Sequence, residues 1–539
     1  MRILPAAAFL TLLAAAALTQ PAHAQPDQAA EDEVSPRWQG TFANFPVQQP
    51  REVPAYTDIK GQLPTIVFDD RPDLVILHRV AWQTAFKHIE RPTLAETGHV
   101  LARTYIDAAF SDNIFQWDTC FIMDFAKYGH GAFPFIESLD NFYALQRDDG
   151  FICREFRKAD AQPVMYPTDR DSVNPPIFAW AELQYARLSG DRARLAIVLP
   201  VLQRYADWLE ANRSIAVTRD GSQYTLYWNT PFGSGMDNTP ETGDAWVSMS
   251  AQMAQMYESL ATIATLAEKP QVSADFTARR ERIIAAINAV LWDEASGMYF
   301  NALADGTLQK QRTIGCFWPL WAGAVPADRA PRVRAVLLDA KQFNTPVPFA
   351  TLSQQHEKFD EWGGYWLGAS WAPTTHMALA GLARVDARLD AYSAAYRYID
   401  AIGHVYGQTG TIWENYAPRH LSFGGSPVEP QPGQPAKREF VGWSGLGPIT
   451  MLIENVIGLE PDALANRVTW HLHRTDRVGV QGLQLGKVRL SLVAQPRETL
   501  SDEAIIDVES DGEFELVIRV EGRVLTQQIA PGRTQVRVP

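Results

Sequence analysis

Cysteine is nearly absent: Cys120, Cys153 and Cys316 are the three in 539 residues. Spaced so widely, they exclude a disulfide framework and a cysteine metal cluster, and they allow one disulfide at most. Buried free thiols are the expectation. Positive charge is also in short supply. Forty-eight Lys and Arg stand against 62 Asp and Glu, a net charge of −14. That balance lacks the basic face a nucleic acid needs. The histidines, His130, His356, His404 and His420 among them, show no zinc spacing, and no EF-hand loop occurs. No metal and no cofactor is therefore expected. No short period recurs, which excludes a simple solenoid. Past the N-terminus no run of 18 apolar residues occurs, which leaves no further segment for a membrane-spanning helix.

What is present begins with a leader pattern. Arg2 precedes an apolar run from Ile3 to Leu18, and "AHA" offers a small-residue cleavage site. Residues 1–24 are read as a secretory signal peptide cut after Ala24, and the protein as periplasmic or secreted with no membrane insertion after cleavage. Residues 25–71 are polar and Pro-rich, an extended segment with little core of its own. From 72 to 460 the chain is a train of amphipathic helices. Leu195, Val198, Leu202, Tyr205 and Leu209 keep helical spacing, as do Phe276, Ile283, Ile287 and Leu291, with Arg280 a polar break. Further helices are predicted over 374–385, 387–402 and 443–457. Closing such a train into a ring buries every apolar stripe and gathers the connecting loops at its centre. From 461 to 539 the pattern alternates, as in "RVTWHLH", "AIIDVES" and "FELVIRV", and reads as a small β-sandwich.

Four stretches interrupt the helices with aromatic residues and carboxylates. "DNIFQWDTCF" holds Trp117 and Asp118. "PFGSGMDNTP" sets Asp237 between glycines and a proline. "EWGGYWLGASW" holds Tyr365, Trp366 and Trp371. "TIWENYAP" holds Glu414, and "FVGWSGLGP" holds Trp443. Taken singly, an Asp in a Gly/Pro loop is usually a turn residue, and a Trp usually fills a core. Together they suit a sugar, whose C–H faces stack on rings and whose hydroxyls bond to carboxylates and amides. Cleaving a glycosidic bond needs a proton donor for the leaving oxygen and, with inversion, a base for water.

In this order, "QWDTCF", "SGMDNTP", "YWLGASW", "TIWENY" and "FVGWSGL" resemble the motifs of glycoside hydrolase family 63 and the trehalases. The bacterial mannosylglycerate hydrolase-like branch is the nearest in look, over roughly 75–458. The resemblance implies an (α/α)6 barrel (a helical toroid) followed by the β-sandwich, and an inverting α-glycosidase of glucosidase, mannosidase or trehalase type. It implies that Asp237 is the general acid and Glu414 the general base. It further implies that Trp117 and Asp118 hold the cleaved sugar, that Tyr365, Trp366 and Trp443 form aromatic walls, and that Asn174 faces the pocket where Gln is more usual. The family's Tyr-Trp-Arg-Gly is here Tyr365-Trp366-Leu367-Gly368. The missing arginine puts substrate identity in doubt, with Arg154, Arg312 and Arg419 as candidate substitutes.

The expected substrate is a small glycoside or an oligosaccharide end. Two other functions fit the pattern: a non-catalytic glycan-binding protein on the same fold, and a polysaccharide lyase. A lyase needs Arg or Asn beside Tyr or His to neutralise a uronate and take its α-proton, and no such cluster outranks the carboxylate pair. The Pro- and Gly-rich stretch 418–438 lies between Glu414 and Trp443, where a lid over the pocket would sit.

Overall fold

The computed structural model describes residues 50–92, 101, 103–425, 436–440 and 442–539. The predicted signal peptide, the start of the 25–71 segment and the centre of the 418–438 stretch lie outside these residues. Helices, several of them on the predicted apolar stripes, run through the chain from Pro72 to Ile457. They are α1 (Pro72–Lys87), α2 (Gln116–Ala126), α3 (Phe178–Ser189), α4 (Arg192–Arg213) and α5 (Val247–Leu266). They continue with α6 (Pro270–Ala286), α7 (Trp318–Trp321), α8 (Ala372–Arg384), α9 (Arg388–Thr409) and the π-helical α10 (Gly447–Ile457).

Local chemistry sets several of these boundaries. Asp191 caps α4, its carboxylate accepting the Arg194 N–H at 3.0 Å. Leu195, Val198, Leu202, Tyr205 and Leu209 are all buried. Proline opens α6, where its missing N–H costs nothing. Arg280, the polar break in that stripe, reaches across to Glu258 of α5 and to the Ala322 carbonyl. The predicted helix over 443–457 is helical but not α. It starts as a 3-10 turn, Trp443–Leu446, and continues as α10. Glycines in this segment let neighbours approach closely. A Cβ on Gly445 would lie 2.7 Å from the Phe125 ring, and one on Gly447 would lie 2.7 Å from Ile402.

Six segments pack in cyclic order. α2 contacts α3, α3 contacts α5, α5 contacts α7, α7 contacts α8, and α8 contacts the 443–446 turn, which returns to α2. The intervening helices lie outside this cycle: α4 against α3 and α5, α6 against α5, α9 against α8 and α10, α1 against α9 and α10. Trp117, Asp118 and Trp443 sit on the first turns of their segments, and Asn174, Tyr365 and Trp366 lie shortly before α3 and α8. Asp237 lies on the longer loop ahead of α5, and Glu414 follows the C-terminal end of α9.

The C-terminal region forms two sheets. One has the order β1-β4-β5-β6-β9 (Thr65–Phe68, Val478–Leu485, Val488–Ala494, Ala504–Ser510, Gly532–Val538). The other has the order β2-β3-β7-β8 (Leu459–Asp462, Arg467–His471, Phe514–Val520, Arg523–Ile529). Alternating burial along β6 and β7 gives each sheet one apolar face. The 50–71 stretch is not merely extended. Its β1 pairs antiparallel with β4, Thr65 opposite Gln481 and Phe68 opposite Val478, and buries Ile66 and Phe68. No local pattern reveals that partner, since pairing between distant strands is set by tertiary packing. Backbone bonds tie the sheets to the helices, from Gly486 N–H to Leu188 O at 2.7 Å and from Ala463 N–H to Arg187 O at 2.5 Å.

Phe68 is 2% exposed and lies under the Arg474 guanidinium. Phe68→Ala is expected to destabilise the protein by about 3–5 kcal/mol, read as an earlier transition in urea.

Candidate active site

The loop before α5 turns tightly at Gly235, whose φ is +79°. A Cβ there would sit 2.4 Å from the Trp117 ring. Glycine is therefore required twice over, by the left-handed backbone and by the indole packed on it. This turn delivers Asp237 to the pocket, partly exposed. Facing it is the loop before α8, where Gly363 (φ +114°) and Gly364 (φ +48°) reverse the chain ahead of Tyr365. The Tyr365 hydroxyl donates to Asp237 Oδ2 at 3.2 Å.

Asn238 binds the two loops together. Its Nδ2 donates to the Gly364 carbonyl at 3.0 Å, and its Oδ1 accepts the Trp366 N–H at 2.9 Å. Asn238 stands in the quoted "GMDN" motif, but nothing in the sequence reveals its partners.

Glu414 is 4% exposed. Its Oε2 accepts the Lys437 N–H at 3.3 Å, and its own N–H donates to the Lys437 carbonyl at 2.9 Å. The chain returning from 418–438 thus completes the surroundings of this carboxylate. Lys437 went unrecognised in the sequence because it lies 23 residues away along a Pro-rich stretch.

Trp117, Tyr365, Trp366, Trp371 and Trp443 form one aromatic wall. Trp366 and Trp371 stack at 4.0 Å, while Trp443 meets Trp117 edge-on at 5.1 Å and Trp371 at 5.7 Å. Asp118, on the first turn of α2, is 3% exposed, and Asn174 is fully buried ahead of α3. Several buried polar atoms here lack a hydrogen-bond partner among the described residues. They are Asp118 Oδ1, both amide atoms of Asn174, and the indole N–H groups of Trp366 and Trp443. Buried polar atoms are rarely left unpaired. This set of acceptors and donors inside an aromatic wall suits the hydroxyls and C–H faces of a sugar.

The electrostatics tie the carboxylates into one group. Burial pushes Asp237 up to about 6, opposed by the Arg154 charge and the Tyr365 hydrogen bond. It pushes Glu414 up to about 7, opposed by Lys437 and reinforced by the charge of Asp237. Asp118 is raised well above the carboxylate range, by burial first, with Glu414 and Asp237 adding to it and Arg154 opposing. The Tyr365 phenol is also raised, by burial and then by all three carboxylates.

Of the three candidate arginines, Arg154 is the one whose charge acts on Asp237 and Asp118. Its Nη1 donates to the Phe232 carbonyl at 2.6 Å, and its Nε lies 3.1 Å from Glu155. Arg312 instead bonds Gln342, and Arg419 is exposed. Among the described residues no group of three or more His, Cys, Asp or Glu is arranged to hold a metal ion. The three cysteines are free and buried.

Comparison with known proteins follows this geometry. An uncharacterized protein of Borreliella burgdorferi is 25% identical over 388 residues, covering 71% of this chain and 80% of that relative. Human trehalase is 24% identical, covering 63% of this chain and 64% of its own length. A periplasmic trehalase of Salmonella agona is 23% identical over 47% of this chain and 53% of its own length. The chain thus spans between half and two thirds of these trehalases. Among solved structures, the family 63 mannosylglycerate hydrolase of Thermus thermophilus in complex with glucose superposes with a TM-score of 0.52 at 17% identity, covering 69% of this chain and 99% of that one. A sialidase superposes with a TM-score of 0.63 at 14% identity, over 83% of this chain and 40% of that one. Residues 56–427 match the mannosylglycerate hydrolase MGH1-like glycoside hydrolase domain, and the chain belongs to that family of glycoside hydrolases.

Proposed function

We propose that this glycoside hydrolase is an exported inverting enzyme that cleaves an α-glycosidic bond in a small glycoside or oligosaccharide. The observation that carries the reading is the pairing of Asp237 and Glu414, two carboxylates raised by burial on separate loops of one aromatic, sugar-like pocket. The cyclic packing of helices supports an (α/α)6 barrel, and the two C-terminal sheets support a β-sandwich. The leader pattern at 1–24 supports export, as does the likeness to periplasmic trehalases. No helix among the described residues is long and apolar enough to cross a membrane.

In the proposed reaction a water oxygen attacks the anomeric carbon as its proton passes to Glu414. The carbon–oxygen bond to the leaving group breaks as Asp237 protonates that oxygen, and the anomeric configuration inverts. Asp118, Asn174, Trp117 and Trp443 hold the cleaved sugar, with Tyr365 and Trp366 as its wall. Glu414 must be ionised while Asp237 is protonated, yet the free site ranks Glu414 the higher of the two. Bound sugar corrects that order. Asp237 is still partly exposed and loses its remaining water when the pocket fills, which raises it further. Glu414 is already dry, and Lys437 keeps its charge on it.

The lyase alternative fares worse. Asp118, Asp237 and Glu414 would face the negative uronate, and a phenol raised as far as that of Tyr365 is a poor carrier of the base role. The glycan-binding alternative keeps the pocket but predicts no turnover.

Three outcomes test the reading on a panel of α-linked disaccharides. NMR of the first-formed product is expected to show the inverted anomer; retention sinks the mechanism. Asp237→Asn and Glu414→Gln are each expected to lower kcat by about 10²–10⁴-fold with folding unchanged. kcat/KM reports the free enzyme, which needs one carboxyl ionised and the other protonated. It is therefore expected to rise as the first carboxyl ionises at about 6 and to fall as the second ionises at about 7, a narrow bell with its limbs shared by the pair.

A further inference from the structure

Among the described residues, one tryptophan stands largely in water: Trp362, 55% exposed. One face of its indole is covered by the His420 ring, with centroids 3.9 Å apart and planes 13° from parallel. The remaining exposure therefore belongs to the other face. The residue is held in place as well. Its backbone N–H donates to Asp360 Oδ1 at 2.8 Å, and Gly363 and Gly364, both at positive φ, follow it at once. An apolar ring kept rigid and half in water adds little to folding, because it removes little apolar area from solvent.

A second ring repeats the pattern on the opposite loop. Phe232 is 38% exposed and has one face covered by the Arg154 guanidinium at 4.1 Å. Trp362 precedes Tyr365 by three residues, and Phe232 precedes Asp237 by five. These are the two loops joined by Asn238 and by the Tyr365–Asp237 hydrogen bond. Both open rings thus belong to the loops that hold Asp237, the proposed proton donor. A proton donor faces the leaving group.

We propose that Trp362, backed by His420 and assisted by Phe232, is a stacking platform for the leaving group, and that this leaving group is a sugar ring. The inference rests on the reading of Asp237 as general acid, and it narrows the substrate class from any small α-glycoside to an α-linked disaccharide or longer oligosaccharide. A small carboxylic acid as leaving group would use neither aromatic face. It would call for a free cation beside Asp237, and Arg154 is already engaged by Glu155 and the Phe232 carbonyl.

The test is calorimetric titration of the Asp237→Asn protein, with and without Trp362→Ala, using glucose, mannose and their α-linked disaccharides and trisaccharides, trehalose included. Trp362→Ala is expected to weaken disaccharide and trisaccharide binding by about three- to tenfold and to leave monosaccharide binding within about twofold. Trp362→Phe, which keeps an open aromatic face, is expected to restore most of the loss. Equal weakening of mono- and oligosaccharides, or no change in either, overturns the platform. Failure of the two proposals is separable. Binding with this pattern, combined with no turnover by the unmutated protein, removes the hydrolase mechanism and keeps the platform. Turnover of disaccharides unaffected by Trp362→Ala removes the platform alone. No binding of any oligosaccharide in the panel overturns both.

Discussion

Desolvation of carboxylates is the constraint on which the rest of the site depends. Asp118, Asp237 and Glu414 are drawn into an aromatic enclosure where water is scarce, and each is raised by that burial. Like charges so placed repel one another. The fold opposes the cost with a small set of groups: the Arg154 charge, the Tyr365 hydroxyl, and the Lys437 N–H and ammonium. None of these neutralises a carboxylate outright. Asp237 and Glu414 are therefore held at about 6 and about 7, and Asp118 well above the usual carboxylate range.

The helical framework makes that arrangement rigid. Loops beside the cycle of helices and the first turns of its segments carry the candidate side chains, and the loops are fixed by contacts outside themselves. Trp117 packs on Gly235, so the turn that carries Asp237 is shaped by α2. Asn238 spans to Gly364 and Trp366, so the same turn is locked to the loop before α8. Glu414 is paired along its backbone with Lys437. A shift in one loop must disturb another, which holds the proposed reacting groups to the narrow tolerances that positioning demands.

Much of the helical framework was legible along the chain because apolar periodicity is a local property. The stripes of α4 and of α6 from Phe276 and the body of α8 follow from it, as do the alternating strands β3, β6 and β7, although α6 and α8 start earlier, at Pro270 and Ala372. Periodicity pointed to a helix over 443–457, and the segment is helical, though its winding is not α. Gly445 and Gly447 there sit against Phe125 and Ile402. β1, by contrast, was invisible, since its partner β4 lies at the far end of the chain. At the site, Asp237, Glu414 and their aromatic companions stood out by motif, whereas Asn238 and Lys437 did not. Their roles are made of backbone contacts, which no side-chain pattern records.

The sequence by itself determined the residue types, the order of the motifs, the helix-rich body and the strand-rich end, because composition and periodicity act over a few residues. Only the tertiary structure decided which carboxylates share a field, which arginine stands beside them, and how dry each becomes. Those properties depend on distance and on exclusion of water, and both are set by packing between residues far apart in the chain: Arg154 beside Asp237, Lys437 against Glu414, and Trp117 on Gly235.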